Sequence, residues 1–386
     1  MSKKPKVVVY GASGYTGKLI AEFLAADGVP FVAAGRNAER LEAEMAGVPG
    51  LKHGDYEIHA VSHEAGTLSA LFRGRSVVIN VAGPFMQLGE PVVQAALAEG
   101  CHYLDTTGEQ DWVMFLRECY AKDFEAAGRV LCPANAFMWT GGQLAIETLL
   151  ETPGIDSFDL VYAPNGPATI ASTLSFLRMC THPQYILANN VLQTWPEASV
   201  IQVSVPHTHE ILRGLPWGGG CEPIWYQHDP RVRNVRVCVA FPNSQFGDWI
   251  IARMQEFARL APGLTPRQAE ELTNSWGRAV AHTPPREIED VNRCVVSCRA
   301  RGRLAGRNLA LYATSPYLQT GVLGATAARE LLAGRQRRVG FTSPAAAFGH
   351  RVLINALHSA GLHGAVNDCA TEGEPAKPRG KVAAMS

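Results

Sequence analysis

The stretch VVVYGASGYTG, from Val7 to Gly17, constrains the fold of this chain more than any other part of it. Its first four residues form a short, continuous apolar run, which is typical of a parallel strand covered on both faces. Three regularly spaced glycines follow, and behind them Leu19, Ile20 and Phe23 lie on one face of a helix. The pattern therefore predicts a buried strand that turns directly into a helix.

Such a turn is also a predicted ligand site. It brings backbone N–H groups and the N-terminus of a helix to one point, where a pyrophosphate is stabilised. A glycine-rich loop without a ligand is the alternative, but the strand before the glycines and the helix after them favour a nucleotide site. The residues of the turn that we expect to contact the nucleotide are Gly11, Ser13, Gly14, Tyr15, Thr16 and Gly17.

The second predicted strand, Phe31–Gly35, ends at the position that distinguishes the two nicotinamide cofactors. An NAD-binding unit places a carboxylate there, which accepts a hydrogen bond from the ribose 2′-hydroxyl. This chain instead has Arg36, followed by Asn37, and a guanidinium binds a 2′-phosphate bidentately. Ser13 of the glycine turn can lie beside the Arg36 side chain. We therefore expect NADP(H) as the cofactor, with a solvated arginine as the alternative interpretation of Arg36.

Four more predicted strands alternate with helices as far as residue 135. Strands and helices in this alternation make a complete doubly wound parallel sheet, the Rossmann arrangement of the α/β class. We therefore assign residues 1–135 to an NADP-binding domain. The four strands are predicted at Glu57–Val61, Ser76–Val81, Cys101–Asp105 and Arg129–Pro133.

The loops that follow the last three of these strands should face the nicotinamide, because ligands bind outside the carboxyl ends of the strands in such a sheet. Four polar residues are candidates for handling a proton there, namely Glu109, Thr107, Asn135 and Gln87, and of these we select Glu109 and Asn135 as catalytic. A cap or loop hydrogen bond is the alternative role for each. The loop residues that we expect to contact the cofactor are Ala82, Gly83, Pro84, Phe85 and Thr107.

Beyond the sixth strand the pattern changes. Several segments alternate between apolar and polar residues, which indicates strands with one exposed face in a mixed or antiparallel sheet. Residues 136–366 are therefore predicted to form a second, α+β domain for substrate binding and dimerisation, and residues 367–386 a polar, disordered tail. The alternating segments are Phe158–Tyr162, Ser199–Val205, Val235–Phe241, Arg293–Gly302 and Leu309–Ala313, and the helical ones are Ile170–Cys180, Trp249–Leu260, Pro266–Ala281, Tyr317–Leu332 and Ala345–Ala360.

The segment Pro206–Pro230 is rich in proline, glycine and aromatic residues, which predicts a long loop or lid. A zinc site formed by His207, His209 and Cys221 is one interpretation, but the segment lacks the tight spacing of metal ligands. We therefore expect no metal and a loop that lines the substrate site. Its aromatic residues, which suit an apolar or planar substrate, are Trp217, Trp225 and Tyr226, with Trp195 and Trp249 nearby in sequence.

Length and composition exclude several classes of protein. A chain of 386 residues is long enough for two cores, since single cores stop growing at about 250–300 residues. The formal net charge is zero, so nothing indicates nucleic acid or an anionic membrane surface as a partner. No apolar run approaches the roughly 18 residues of a membrane span, and no signal-type segment precedes the first strand. We expect a cytoplasmic protein with a small-molecule substrate, and a homodimer is one option for its assembly.

The cysteines and lysines narrow the chemistry. The nine cysteines are scattered and lack a CxxC pair, which favours reduced, buried thiols over a disulfide framework. Cys132 precedes Pro133 at a strand end, and this context favours a structural thiol over the nucleophile of a semialdehyde dehydrogenase. No lysine occurs between Asp123 and Ala376, which excludes a Schiff-base lysine there. Short-chain dehydrogenases need the motif Tyr-x-x-x-Lys, and no tyrosine in this chain is followed by a lysine four residues later. The sequence therefore excludes this class.

Several motifs together resemble the saccharopine dehydrogenase-like oxidoreductases, and especially their trans-acting enoyl reductase branch. They are GASGYTG, NVAGPF, HYLDTTGE with Gly89 before it, YLQTG from Tyr317, and FTSPAAAFG from Phe341. The resemblance implies that the C-terminal part packs back on the first domain. After the sixth strand such proteins commonly have carboxylates, in sequences of the Gly-Phe-Asp and Pro-Ser-Asp type, whereas this chain has ANAFMWTGG.

The same resemblance implies an NADP(H)-dependent oxidoreductase that reduces an activated C=C bond in a fairly apolar small molecule. Two alternatives stay open. One is an amino-acid oxidoreductase of the saccharopine dehydrogenase type that acts on C=N and must bind several carboxylates. The other is a protein that binds NADP without turning it over, as a sensor or accessory subunit. The arginines available for carboxylates are Arg178, Arg213, Arg231 and Arg233.

Overall fold

The computed structural model describes residues 5–166, 168–196, 198–206, 210–242, 244–280 and 284–370. The first domain alternates short buried strands with helices, as the apolar runs and the helical periodicity predict. Its elements are β1 (Val7–Tyr10), α1 (Tyr15–Ala26), β2 (Phe31–Gly35), α2 (Ala38–Ala46), β3 (Tyr56–Ala60), α3 (Ala65–Phe72), β4 (Val77–Asn80), α4 (Phe85–Leu88), α5 (Glu90–Ala98), β5 (His102–Asp105), α6 (Gln110–Ala126) and β6 (Val130–Cys132).

The second part of the chain supplies a larger sheet and the helices that cover it. Its elements are α7 (Phe137–Leu149), β7 (Ile155–Pro164), α8 (Ile170–Met179), β8 (Tyr185–Ala188), β9 (Val191–Thr194), β10 (Ile201–Ser204), β11 (Ile211–Leu215), α9 (Glu222–Tyr226), β12 (Asn234–Ala240), α10 (Ser244–Leu260), α11 (Pro266–Arg278), β13 (Arg293–Gly302), β14 (Gly306–Thr314), α12 (Pro316–Leu332), β15 (Gly340–Phe341), α13 (Pro344–Phe348), α14 (His350–Ser359) and β16 (His363–Ala370).

Two sheets organise these elements, and they confirm the predicted fold class. The first sheet is wholly parallel, in the order β15-β6-β5-β4-β1-β2-β3, so β1 lies at the point where the strand order reverses. The second sheet has the strand order β10-β11-β12-β7-β13-β14-β16. Outside this order, β8 pairs with β12, and β9 pairs with β8. The second sheet is mixed, because β12 pairs with β7 in parallel while the other neighbours are antiparallel. The ligand site of such a doubly wound domain is expected at the end of β1.

The structure differs from the sequence-based expectation in several elements. The predicted helix Ala345–Ala360 is two helices, because Gly349 has a φ of 89° and ends α13. The predicted loop Pro206–Pro230 contains β11 and α9. The predicted tail begins too early, since β16 extends to Ala370 by pairing with β14, and residues 371–386 lie outside the described part. Helix α7 was not predicted, because its Gly141–Gly142 pair is typical of a loop.

The last third of the chain returns to the first domain. Strand β15 extends the first sheet by pairing with β6, and α12 packs against α1. Glycine makes this helix contact possible: a Cβ atom at Gly321 would lie 2.6 Å from Phe23 Cδ2 and 3.1 Å from the Leu19 carbonyl oxygen. At Gly324 it would lie 3.1 Å from Ile20 Cγ1. The spacing of α12 and α1 therefore depends on two residues without side chains.

This contact predicts that Gly321→Ala destabilises the protein by about 1–3 kcal/mol, as overpacking of a close contact does. The measurement is urea unfolding. Gly66→Ala is the matched control, because Gly66 is also helical but an added Cβ would meet nothing within 4 Å. That variant should match or exceed the wild type by up to about 1 kcal/mol. Equal stability of the two variants would contradict the tight packing of α12 on α1.

Candidate functional site

A cleft lies between the carboxyl ends of the first sheet and the second part of the chain. The volume of the cleft, which includes the solvent at its open mouth, is about 1120 Å³. Both parts of the chain line it, so it forms only when they are packed together. The residues used below are Thr16, Gly83, Phe85 and Thr106 from the first domain, and Phe137, Met138, Thr169, Ser172, Ser175, Phe176, Trp217, Phe241, Glu287 and Tyr317 from the remainder.

The glycine turn after β1 has the close backbone packing that a pyrophosphate site requires. Gly11 has a φ of 92°, and the N–H groups of Gly11 and Ala12 both donate to the Ala34 carbonyl, at 2.8 and 3.1 Å. A Cβ at Gly17 would lie 2.5 Å from the Gly11 carbonyl oxygen. Gly14 is the N-cap of α1 and no side chain caps that helix. The N-terminus of α1 is therefore available to an anion.

Arg36 lies at the carboxyl end of β2, exposed and without a hydrogen bond or ion pair to any described residue. Burial raises the pKa of Tyr10, and the nearby Arg36 guanidinium opposes this rise. Burial lowers the pKa of His63, and Arg36 lowers it further. The Tyr10 hydroxyl and His63 Nδ1 are 2.8 Å apart, and the two rings stack. Asn37 caps α2, with its Oδ1 accepting from Arg40 N at 2.8 Å. The guanidinium of Arg36 is thus free to meet a phosphate.

Tyr15 and Thr16 differ in their placement. Thr16 lines the cleft, whereas the Tyr15 hydroxyl donates to the Pro285 carbonyl at 2.9 Å and accepts from Glu287 N at 3.1 Å. The Tyr15 ring also meets Tyr317 edge-on, with centroids 5.0 Å apart. Tyr15 therefore joins the glycine turn to the second part of the chain. Ser13 is half-buried on the same turn.

The loops after β4 and β5 are held by buried side chains. Asp105 accepts hydrogen bonds from Trp112 Nε1, from the Tyr103 hydroxyl and from the N–H groups of Thr107 and Ala134, at 2.8 to 3.1 Å. Burial raises the pKa of Asp105 to about 6, and these donors oppose the rise. The Thr107 side chain is buried, and its neighbour Thr106 lines the cleft.

Of the predicted loop residues after β4, Gly83 and Phe85 line the cleft. The Gly83–Pro84 peptide bond is cis, and Ala82 N donates to Asn80 Oδ1 at 3.0 Å.

Glu109 occupies a fully buried position behind this loop. Its carboxylate accepts from the N–H groups of Phe85 and Met86, at 2.7 and 3.0 Å, and from the Ser175 hydroxyl at 2.7 Å. Arg178 Nη2 lies 2.8 Å away, and the same guanidinium binds Asp111 at 2.7 and 2.9 Å. Glu109 therefore ties the Phe85 loop to α8, and it is not among the residues that line the cleft.

The other predicted candidates also lie away from the cleft. Asn135 is buried and donates to the Leu323 carbonyl at 3.2 Å, and its Oδ1 has no partner among the described residues. Gln87 donates to Glu270 at 3.3 Å. Burial raises the pKa of the Cys221 thiol well above its usual value. His207 and His209 lie outside the described residues.

The four arginines considered for carboxylate binding are engaged elsewhere. Arg178 is in the buried cluster with Glu109, and Arg213 pairs with Asp248. Arg231 binds Glu147 and Asp229 at 3.0 and 2.7 Å, and Arg233 donates to Asn189 at 3.1 Å. Within the described ranges, the cleft lining holds no arginine, lysine or histidine.

One wall of the cleft is aromatic. Trp217 stacks on Phe176 with ring centroids 3.8 Å apart and an interplanar angle of 8°, and Phe241 meets Trp217 at 4.8 Å. Trp217 comes from the segment predicted to line the site. Four lining residues were not predicted as site residues, because they come from α8, α12 and the segment before β13 and no local motif links these parts: Ser172, Phe176, Tyr317 and Glu287. In the described part of the chain, no helix is both long and apolar enough to cross a membrane.

Comparisons with known proteins agree with this architecture. Residues 7–129 match the saccharopine dehydrogenase NADP binding domain, and residues 140–369 match a family of unknown function, DUF5938. The first match confirms the expected NADP(H) cofactor. The structure is similar to apo saccharopine dehydrogenase (L-Glu forming) from Saccharomyces cerevisiae, with a TM-score of 0.61 and 14% identity over 95% of this chain and 100% of that one.

Three curated relatives match parts of the chain. A lipid droplet localized protein of Caenorhabditis elegans is 34% identical over 44% of this chain and 43% of its own length. A putative trans-acting enoyl reductase of Mycobacterium tuberculosis is 32% identical over 37% and 35%, and a mouse saccharopine dehydrogenase-like oxidoreductase is 27% identical over 50% and 44%. The matched region therefore covers less than half the length of these relatives. The chain belongs to the family of unknown function DUF5938, and it combines that family's domain with a saccharopine dehydrogenase NADP binding domain in a saccharopine dehydrogenase-like fold.

Proposed function

We propose that the protein is an NADP(H)-dependent oxidoreductase that reduces an activated C=C bond in a fairly apolar small molecule. The observation that carries this proposal is the composition of the cleft: a nucleotide turn on one side and an aromatic wall on the other. An apolar pocket with a few polar groups suits an uncharged conjugated substrate. A substrate with several carboxylates would leave its charges unpaired here, because the described lining contains no cationic side chain.

The residues of the first domain fit the cofactor. The glycine turn and the uncapped N-terminus of α1 would hold the pyrophosphate, with Gly11, Gly14 and Gly17 allowing the close approach. Arg36 would bind the 2′-phosphate. The backbone at Gly83, with Phe85 and Thr106 beside it, would face the nicotinamide. When bound, NADPH supplies the hydride.

The chain's own residues would orient the substrate and exclude water. Trp217, Phe176 and Phe241 form a rigid apolar wall, against which a planar conjugated group can stack. Ser172 and Thr169 offer hydroxyl groups at the same wall, suited to the carbonyl that activates the double bond. Holding the reacting atoms in one geometry is the main contribution that a protein makes to hydride transfer.

The direct test is NADPH oxidation in the presence of enals, enones and enoyl thioesters, with imines and simple carbonyl compounds as comparison substrates. We expect oxidation to depend on a C=C conjugated to a carbonyl. Turnover of imines alone would support the amino-acid oxidoreductase type instead. Tight NADPH binding without turnover of any of these compounds would favour a sensor or accessory subunit.

Arg36→Asp should weaken NADPH binding by roughly 10- to 100-fold and leave NADH binding unchanged or improved, because a bidentate phosphate contact is lost and a like charge is introduced. Fluorescence titration of both cofactors measures this. Arg73→Asp is the control, since Arg73 is also exposed but lies between α3 and β4, at the amino ends of the strands. If NADPH affinity is the same in both variants, Arg36 does not select the cofactor.

We assign Glu109 a positioning role. Glu109→Gln should therefore lower the free energy of unfolding by about 3 kcal/mol. This value is near the lower end for breaking a buried ion pair, because Asp111 still compensates Arg178. Urea unfolding provides the measurement. Glu118→Gln is the control. Glu118 is exposed on α6, the helix that begins directly after Glu109, and its substitution should change stability by less than about 0.5 kcal/mol. A Glu109→Gln variant that unfolds like Glu118→Gln but has lost activity would instead make Glu109 the catalytic acid.

A further inference from the structure

Glu287 is the one carboxyl group in the described lining of the cleft. It belongs to the segment between α11 and β13, far from the glycine turn in sequence. The segment nevertheless reaches the turn, because the Tyr15 hydroxyl bonds both the Pro285 carbonyl and Glu287 N, at 2.9 and 3.1 Å. Glu287 therefore lies at the boundary between the cofactor turn and the substrate wall.

The two oxygens of this carboxyl group are not equivalent. Oε2 accepts from the N–H groups of Tyr317 and Leu318 at the start of α12, at 2.8 and 3.4 Å. No described residue donates to Oε1. A proton on the carboxyl group is therefore best placed on Oε1, since Oε2 already accepts two N–H groups.

The surroundings of Glu287 favour the protonated form. Among the residues that the structure describes, the titratable groups that face it are Tyr15 from α1, Tyr317 from α12 and Cys294 from β13, and none of these three is a cation. Arg286, its neighbour in the chain, pairs with Glu22 of α1. Burial raises the pKa of Glu287 to about 7, and the two N–H donors oppose the rise. Such a carboxyl group can give up a proton near neutrality and regain it from water.

We propose that Glu287 is the catalytic acid of this site, donating a proton from its carboxyl group to the substrate. The proposal rests on the proposed reduction of an activated C=C bond. In that reaction the π bond breaks and two C–H bonds form: one carbon receives a hydride, and the other receives the proton of Glu287. The cofactor is oxidised, the substrate is reduced, and the Glu287 carboxylate takes a new proton from water.

Other polar groups of the cleft are less suited to this task. The Tyr317 hydroxyl lies 2.8 Å from Ser172 Oγ and accepts from Thr169 N at 2.9 Å, and burial raises its pKa. The remaining polar side chains in the described lining are hydroxyl and amide groups, which hold their protons at neutral pH. Glu109 is not among the lining residues, and both of its oxygens accept hydrogen bonds within a buried ion cluster.

The test compares wild type, Glu287→Gln and Glu289→Gln, because glutamine keeps an oxygen for the α12 N–H groups and Glu289 is an exposed neighbour. The probes are cinnamaldehyde and crotonyl-N-acetylcysteamine. We expect Glu287→Gln to bind NADPH as the wild type does but to reduce both probes about 10²–10⁴-fold more slowly. The wild-type rate should fall as pH rises through about 7, where the acid loses its proton, and Glu287→Gln should not show this dependence.

Infrared titration gives a second, activity-independent readout. The wild type should show a carboxylic C=O band that disappears as pH rises through about 7, and Glu287→Gln should lack it. Burial also raises the pKa of Asp105 to about 6 and that of Glu222 to about 8, so two further bands are expected near this range, and the Glu287 band is the one that Glu287→Gln removes.

Each result decides the proposal. Equal rates and pH profiles in Glu287→Gln and wild type would overturn it while leaving the reductase function intact. A wild type that reduces neither probe would count against the reductase function itself. In that case, a titrating band lost in Glu287→Gln would still support an acid at this position, and its absence would overturn that too.

Discussion

The ion cluster of Glu109, Arg178 and Asp111 is the interaction on which the site depends. It lies where the first sheet, the loop after β4 and helix α8 meet, and none of its members would tolerate burial alone. Removing Arg178 would leave two carboxylates without a cation, so this residue in particular holds all three elements in one arrangement. The adjacent Gln110 adds to this by donating to the Tyr185 and Gly220 carbonyls, at 2.9 and 2.6 Å. The cleft is the space that this arrangement leaves open.

Local patterns in the sequence predict the first domain well. The apolar run of β1, the glycine turn and the alternation of strand and helix each depend on residues close in sequence, and the parallel sheet follows from them. The end of β2 likewise places Arg36 by simple register. Cofactor binding is therefore predictable from the chain, because every part of that site follows directly from a strand of one sheet.

The substrate side of the site is not predictable in the same way. Trp217, Phe176 and Glu287 come from a loop, a helix and an irregular segment, which the mixed sheet brings together through pairings distant in sequence. Glu109 follows a strand end, where chemistry is expected, but a buried arginine from α8 engages its carboxylate and it is not among the lining residues. A sequence pattern indicates the position of a residue relative to a strand or helix, whereas tertiary contacts determine which groups its side chain binds.

The return of the chain to the first domain has a consequence for its autonomy. Strand β15 covers the edge of β6, and α12 covers the face of α1 that carries Ile20 and Phe23. A fragment that ends at the boundary of the nucleotide-binding region would expose an unpaired strand edge and an apolar helix face, the two features that promote aggregation. The two regions matched as separate families thus share a sheet and a close helix contact, so exchanging the first for a homologous domain would require α12 and β15 to be exchanged with it.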